Sequence, residues 1–302
     1  MKTESPFGGV SSPYAVGRIR ALEGGLLDRA RWNRLIEAPD ERQALRLLRE
    51  FGYGGSADTL DGMIRRELED AQSLIREISP DPELTGLFLL RVDAHNLKAL
   101  LKARLAALEA GPLLLQGGKY PVDLLEACVK ADSFKALGGA LARELEGVEA
   151  IREPRLLSAA VDRAVYTEIL ETVRRRHAPL LREYFETRAA CLNRLAVLRG
   201  KRLGWDAKTL SPMLLPVPPV REDEPVPALP VSLEEDDSPA QAEQKVNRAL
   251  TAILRRERHD AFGIAPLIWY LQARRNEASS LRILFTQKRE GRNPPLEELL
   301  FE

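Results

Sequence analysis

The stretch Arg91–Leu108, RVDAHNLKALLKARLAAL, places an aspartate, a histidine and an asparagine within four residues, at the start of a basic, leucine-rich run. An acid, an imidazole and an amide that close could hold a divalent metal or pass a proton. Ligation needs side chains converging on one point, commonly two histidines at i and i+4 or a partner set elsewhere. The chain has three histidines, His95, His177 and His259, and none stands at such a spacing. Its two cysteines, Cys128 and Cys191, lack CxxC spacing and read as buried free thiols of a reducing compartment.

The elements around this stretch are helical. From Leu90 the apolar positions Leu90, Ala94, Leu97, Leu101, Leu105 and Leu108 form one stripe at three-and-four spacing. The same periodicity predicts helices over Tyr14–Ile36, Glu41–Phe51, Leu60–Ile78, Arg155–Arg176, Leu180–Leu203, Ala240–Arg258 and Pro266–Arg289. FGYGG, SPDPE and HAPL supply the breaks between them. Alternating strand patterns are nearly absent, and the chain is 44% hydrophobic, 30% charged and only 6% aromatic. The fold class is all-α. One stretch differs: residues 212–240 carry eight of the 20 prolines and seven acids against the single base Arg221. Proline removes helix donors and like charges repel, so this piece is expected to be extended and mobile.

The opening motif recurs. DAHNLKALLKAR, ACLNRLAVLRGK and EASSLRILFTQK align on Asn96, Asn193 and Ser280, which stand 97 and then 87 residues apart. At offsets 0 and 11 the first has Asp93 and Arg104 and the third Glu277 and Lys288; the second keeps Lys201 but has Ala190 in place of the acid. Upstream, GGLLDRARWNRLIEAPD echoes GGKYPVDLLEACVKAD. Three units follow: 1–110, 111–204 and 205–302, the last containing the Pro-rich acidic stretch. His95 has no counterpart in the other copies, where Leu192 and Ser279 stand, so it reads as a packing or surface histidine. Asp93 and Arg104 lie about 16 Å apart along a helix, too far to pair with each other. Their use is to bond neighbouring helices or units. The motif is architectural, and no catalytic, cofactor or metal residue is assigned.

Other function classes find little support. No phosphate-binding GxxxxGK[ST], GxSxG or HExxH motif is present. Basic clusters at Arg174–His177 and Arg255–Arg258 would suit a nucleic-acid binder, but 45 basic residues balance 45 acidic ones and aromatic interleaving is missing. A helical scaffold of another family would bind peptides in a groove, yet units of about a hundred residues exceed those of common solenoids. No signal-peptide pattern opens the chain, and no window nears the ~20 apolar residues of a transmembrane helix.

Several segments resemble the C subunit of archaeal and bacterial V/A-type rotary ATPases, a relative of the d subunit in the eukaryotic vacuolar enzymes. They are YAVGRIRALEGGLL with Tyr14, Arg18, Arg20, Leu26 and Leu27; Tyr53-Gly54; the Asp93-x-x-Asn96-Leu97 helix; and Tyr270, Leu271, Glu277, Leu281, Arg282, Lys288 and Gly291. The resemblance runs nearly end to end. It departs where Ala190 replaces the acid and where VPP stands in place of a Gly-Gly after LSPMLLP. It implies a funnel-like array of three pseudo-repeated helical units. Such a protein would sit on the cytoplasmic face of a membrane complex, between the membrane rotor ring subunits and the central stalk subunits, without cofactor, nucleic acid or small-molecule substrate. It would transmit torque during ion-coupled ATP synthesis or hydrolysis and have no reaction of its own.

Overall fold

A computed structural model describes residues 11–217 and 231–300. Among these every regular element is helical: α1 (Ser12–Glu23), α2 (Arg29–Glu37), α3 (Glu41–Glu50), α4 (Leu60–Ile78), α5 (Pro82–Ala106), α6 (Val122–Lys130), α7 (Gly139–Glu144), α8 (Pro154–Arg175), α9 (Pro179–Arg202), α10 (Ala207–Leu210), α11 (Pro239–Arg255), α12 (Ala265–Arg289) and α13 (Leu296–Leu299). The chain divides into two compact units, one of Met1–Thr85 with Leu254–Glu302 and one of Gly86–Ile253.

In the first unit α12 packs against α1, α3, α4 and α13. Leu35, Leu48, Met63, Ile64, Leu281, Leu284 and Phe285 fill its core. Local chemistry starts α2, α3 and α4. The carboxylate of Asp28 accepts the amide of Arg31 at 2.8 Å, that of Asp40 accepts Gln43 at 2.7 Å, and the hydroxyl of Thr59 accepts Gly62 at 3.1 Å. The helix predicted over Tyr14–Ile36 is two helices instead. Gly24–Asp28 leaves the helical path between α1 and α2, and the amide of Leu27 is turned toward a side chain of α12.

In the second unit α8 packs against α7 and α9, and Phe88 of α5 lies with its ring 4.8 Å from that of Phe185 and 5.1 Å from that of Tyr184 on α9. Of the apolar stripe of the opening motif, Leu90, Ala94, Leu97 and Leu101 are buried, Leu97 completely, whereas Leu105 is half-buried and Leu108, past the end of α5, is exposed. Helix α5 starts eight residues ahead of that stripe, where Ser79 and Thr85 share a 2.8 Å hydrogen bond and Asp81 accepts the amide of Leu84. Cys128 and Cys191 are buried free thiols. Of the Pro-rich stretch 212–240, residues 218–230 lie outside the described residues. Its flanks are held in place, contrary to the expectation of a mobile stretch throughout. Leu215 and Leu233 are buried, and Asp237 pairs with Lys245 at 2.6 Å. A leucine on each flank outweighs the local charge, because each buries about 2 kcal/mol of apolar side chain.

Candidate functional site: helix clamps on the long helices

Three helices of 24 or 25 residues, α5, α9 and α12, carry the eight motif residues. Each motif side chain except Lys201 reaches the backbone of a neighbouring segment. Asp93, fully buried on α5, accepts the amides of Lys119 at 2.8 Å and Tyr120 at 3.2 Å, just ahead of α6. Eleven residues on, Arg104 donates to the carbonyl of Val129 at 2.7 Å, in the last turn of α6, and pairs with Asp132.

The same scheme occurs in the other unit. Glu277 of α12 accepts the amide of Leu27, just ahead of α2. Lys288 donates to the carbonyls of Ile36 at 2.9 Å and Ala38 at 2.5 Å, at the end of α2. Both α2 and α6 have nine residues, or about 13 Å of helix. The ~16 Å between an acid and a cation eleven residues apart spans one such helix with its entry turn. The acid lies at the short helix's positive end and the cation at its negative end, which favours both charges. The two charges too far apart to pair with each other hold a third element between them.

The amide position recurs as well. Asn96 donates to the carbonyl of Leu115 at 2.8 Å and accepts its amide at 2.9 Å. Asn193 on α9 makes the same two bonds with Leu215, at 3.1 and 2.7 Å. Ser280 on α12, with one hydroxyl, donates to the carbonyl of Leu299 at 2.6 Å. Leu115 and Leu215 follow Pro-led helical turns, at Pro112 and Pro212, and Leu299 ends the turn that Pro295 opens. An asparagine bonded to both polar groups of one residue acts like a neighbouring strand and fixes where the returning chain docks.

Lys201 departs from the scheme. It is exposed and pairs with Glu235 at 3.3 Å. At Ala190 there is no carboxylate, and where Gly24-Gly25 and Gly117-Gly118 precede the other clamps the chain reads Val217-Pro218. Acid and Gly-Gly are missing together. The reason is steric: a Cβ added at Gly118 would collide with the Asp93 carboxylate.

Two carboxylates outside the triple register do the same work. Glu168 of α8 accepts Ala140 at 2.8 Å and Leu141 at 3.2 Å after Gly138-Gly139, where a Cβ on Gly139 (φ +59°) would strike the carboxylate. Glu67 of α4 accepts the amide of Gly54 at 2.8 Å. All four Gly-Gly pairs among the described residues therefore deliver an amide to a helix-borne carboxylate. That dipeptide was the available sequence signal for Glu67 and Glu168.

Around Glu277 the charge is concentrated. Arg274 lies 2.9 Å from Glu277 and 3.2 Å from Glu67, and its Nε is 3.2 Å from the Tyr270 hydroxyl. Burial raises the Glu277 carboxyl to about 7; Arg274 and the Leu27 amide oppose this, and Glu67 adds to it. The Tyr53 hydroxyl is buried beside them without a hydrogen-bond partner, and burial pushes its ionisation up. His95 is exposed, its Nε2 2.8 Å from the Leu113 carbonyl.

These polar groups are directed at backbone, in positions that fix helices against one another. Their bonds are structural. The comparisons with known proteins give the chain's kind. A family model described as ATP synthase (C/AC39) subunit matches residues 15–226. The chain is 23% identical over 325 residues to the C subunit of the A-type ATP synthase of Methanothermobacter thermautotrophicus, covering 92% of this chain and 84% of that one. It is 27% identical over 213 residues to the C subunit of the V-type ATP synthase of Thermus thermophilus, covering 64% and 65%. With the C subunit of the A-type ATP synthase of Thermococcus kodakarensis it shares 25% over 233 residues, covering 67% and 60%. The chain belongs to the ATP synthase (C/AC39) subunit family, as a non-catalytic subunit of a V/A-type ATPase. No helix among the described residues is long and apolar enough to cross a membrane.

Proposed function

We propose that this chain is the rotor adaptor of a V/A-type ATPase, joining the membrane rotor ring to the central stalk on the cytoplasmic face and passing torque between them. In this reading residues 1–110, 111–204 and 205–302 are three pseudo-repeated units of a funnel-like array. The observation that carries it is the pair of clamps with identical offsets, one on α5 and one on α12, in a chain of this family. A torque-bearing part must resist sliding of its helices. A short helix gripped at both ends by charge-assisted hydrogen bonds resists it better than one held by apolar contacts, which are non-directional. The copy on α9, without its acid, is the softer one.

The test is affinity purification of the tagged chain from native membranes. Ring and stalk subunits should co-elute in fixed ratio. Recovery of the chain alone, or with unrelated proteins, would refute the assignment.

A further inference from the structure

One position in the triple register remains unused by the clamps. Two residues before Asp93, Ala190 and Glu277 stand Arg91, Arg188 and Arg275. Two of these belong to the same unit. Phe88 and Phe185 are also register-equivalent, and their rings meet at 4.8 Å between α5 and α9. Arg91 and Arg188 each follow by three residues, one helical turn further along the same faces. Arg188 is half-buried and donates from Nε to the hydroxyl of Tyr166 on α8 at 3.0 Å. Arg91 is exposed and forms no hydrogen bond or ion pair among the described residues.

Burial weighs against the Arg188 guanidinium, but the phenols of Tyr166 and Tyr184, both hydrogen-bonded to it, hold it above its ordinary range. The charge of Arg188, and then burial, press the Arg91 guanidinium below its ordinary range, while Glu243 of α11 and the phenols of Tyr184 and Tyr166 oppose this. Glu243 is not within ion-pair distance of either arginine. The nearby Asp162 is taken by Lys98 at 2.8 Å. Phe88, Tyr184 and Phe185, beside the two arginines in sequence, are each at most 4% exposed. Guanidinium forks favour planar anions.

The geometry points to Arg91 and Arg188 as a receptor for carboxylates of an acidic polypeptide segment, which on the rotor-adaptor reading belongs to the stalk protein seated in this chain. The inference rests on that reading for the partner's identity and on the arginine pair for its chemistry. Phosphate would satisfy one guanidinium fork equally well. An acidic segment presenting two carboxylates satisfies both.

Calorimetric titration of the full-length chain with purified stalk proteins of the same complex tests it. Arg91→Gln/Arg188→Gln should weaken binding at least tenfold and flatten its salt dependence. Arg46→Gln, an exposed arginine on α3, should change neither. Arg91→Lys/Arg188→Lys, which keeps the charge, should lose less. Hexaglutamate should compete with the stalk proteins and inorganic phosphate at equal ionic strength should not. Unchanged affinity in the Gln double variant would overturn the site while leaving the adaptor role intact, and so would equal competition by phosphate. If the parent chain ignores the stalk proteins, the adaptor role fails; direct hexaglutamate titration of parent and double variant then decides the site, and equal binding overturns it.

Discussion

Asp93→Ala is expected to destabilise the chain by about 3–5 kcal/mol, a large share of the stability of any domain this size. The fully buried carboxylate accepts two backbone amides, and charge-assisted bonds contribute about 1.5–3 kcal/mol each. Alanine leaves the Lys119 and Tyr120 amides facing a void, and α6 loses the anchor at its positive end. Asn is the informative second variant: its carbonyl can accept one amide, but its NH₂ meets the other donor to donor. Urea unfolding followed by circular dichroism should rank Asp93→Ala and Asp93→Asn both well below the parent. A loss under about 1 kcal/mol in Asp93→Ala would mean that α6 does not depend on the clamp.

The second large effect is a pH dependence centred on Glu277. Its folded-state value of about 7 lies above the ordinary 4.5. Between those values the folded chain holds a proton that the unfolded chain has released, so unfolding free energy falls as pH rises. The contribution is fully present below pH 4.5, declines from there, and is gone above about 7. Roughly two and a half pH units correspond to about 3 kcal/mol. Glu277→Gln removes the titration but keeps an acceptor for the Leu27 amide, and Arg274 keeps Glu67. The difference between the parent and Glu277→Gln stability curves should therefore slope through pH 4.5–7 with the parent losing ground. Parallel curves would show that Arg274 holds Glu277 ionised throughout.

The helices were legible because their periodicity is local. Leu60–Ile78 was read at its true ends, and Asp93, Asn96 and Arg104 lie within one run of twelve residues. Their partners were not legible because these are distant in sequence. Asp93 reaches 26 and 27 residues ahead and Glu277 reaches 250 back, to Leu27. Periodicity carries no information about such pairings. It also ran Tyr14–Ile36 together as one helix, since the Gly24-Gly25 break answers to a carboxylate on α12 rather than to its own neighbours. The architectural reading of Asp93, His95 and Asn96 needed no partner, only the copies lacking His95.

The adaptor's proposed role is mechanical, and a coupling measurement bears on it most directly. Membranes holding the complete complex are stripped of this chain, and ATP hydrolysis and ion movement are then measured before and after adding it back. The account predicts that hydrolysis persists in the stripped preparation without ion transport, and that the added chain restores transport in proportion to its occupancy. Ion transport that continues at the full rate per ATP in the chain's absence would contradict it.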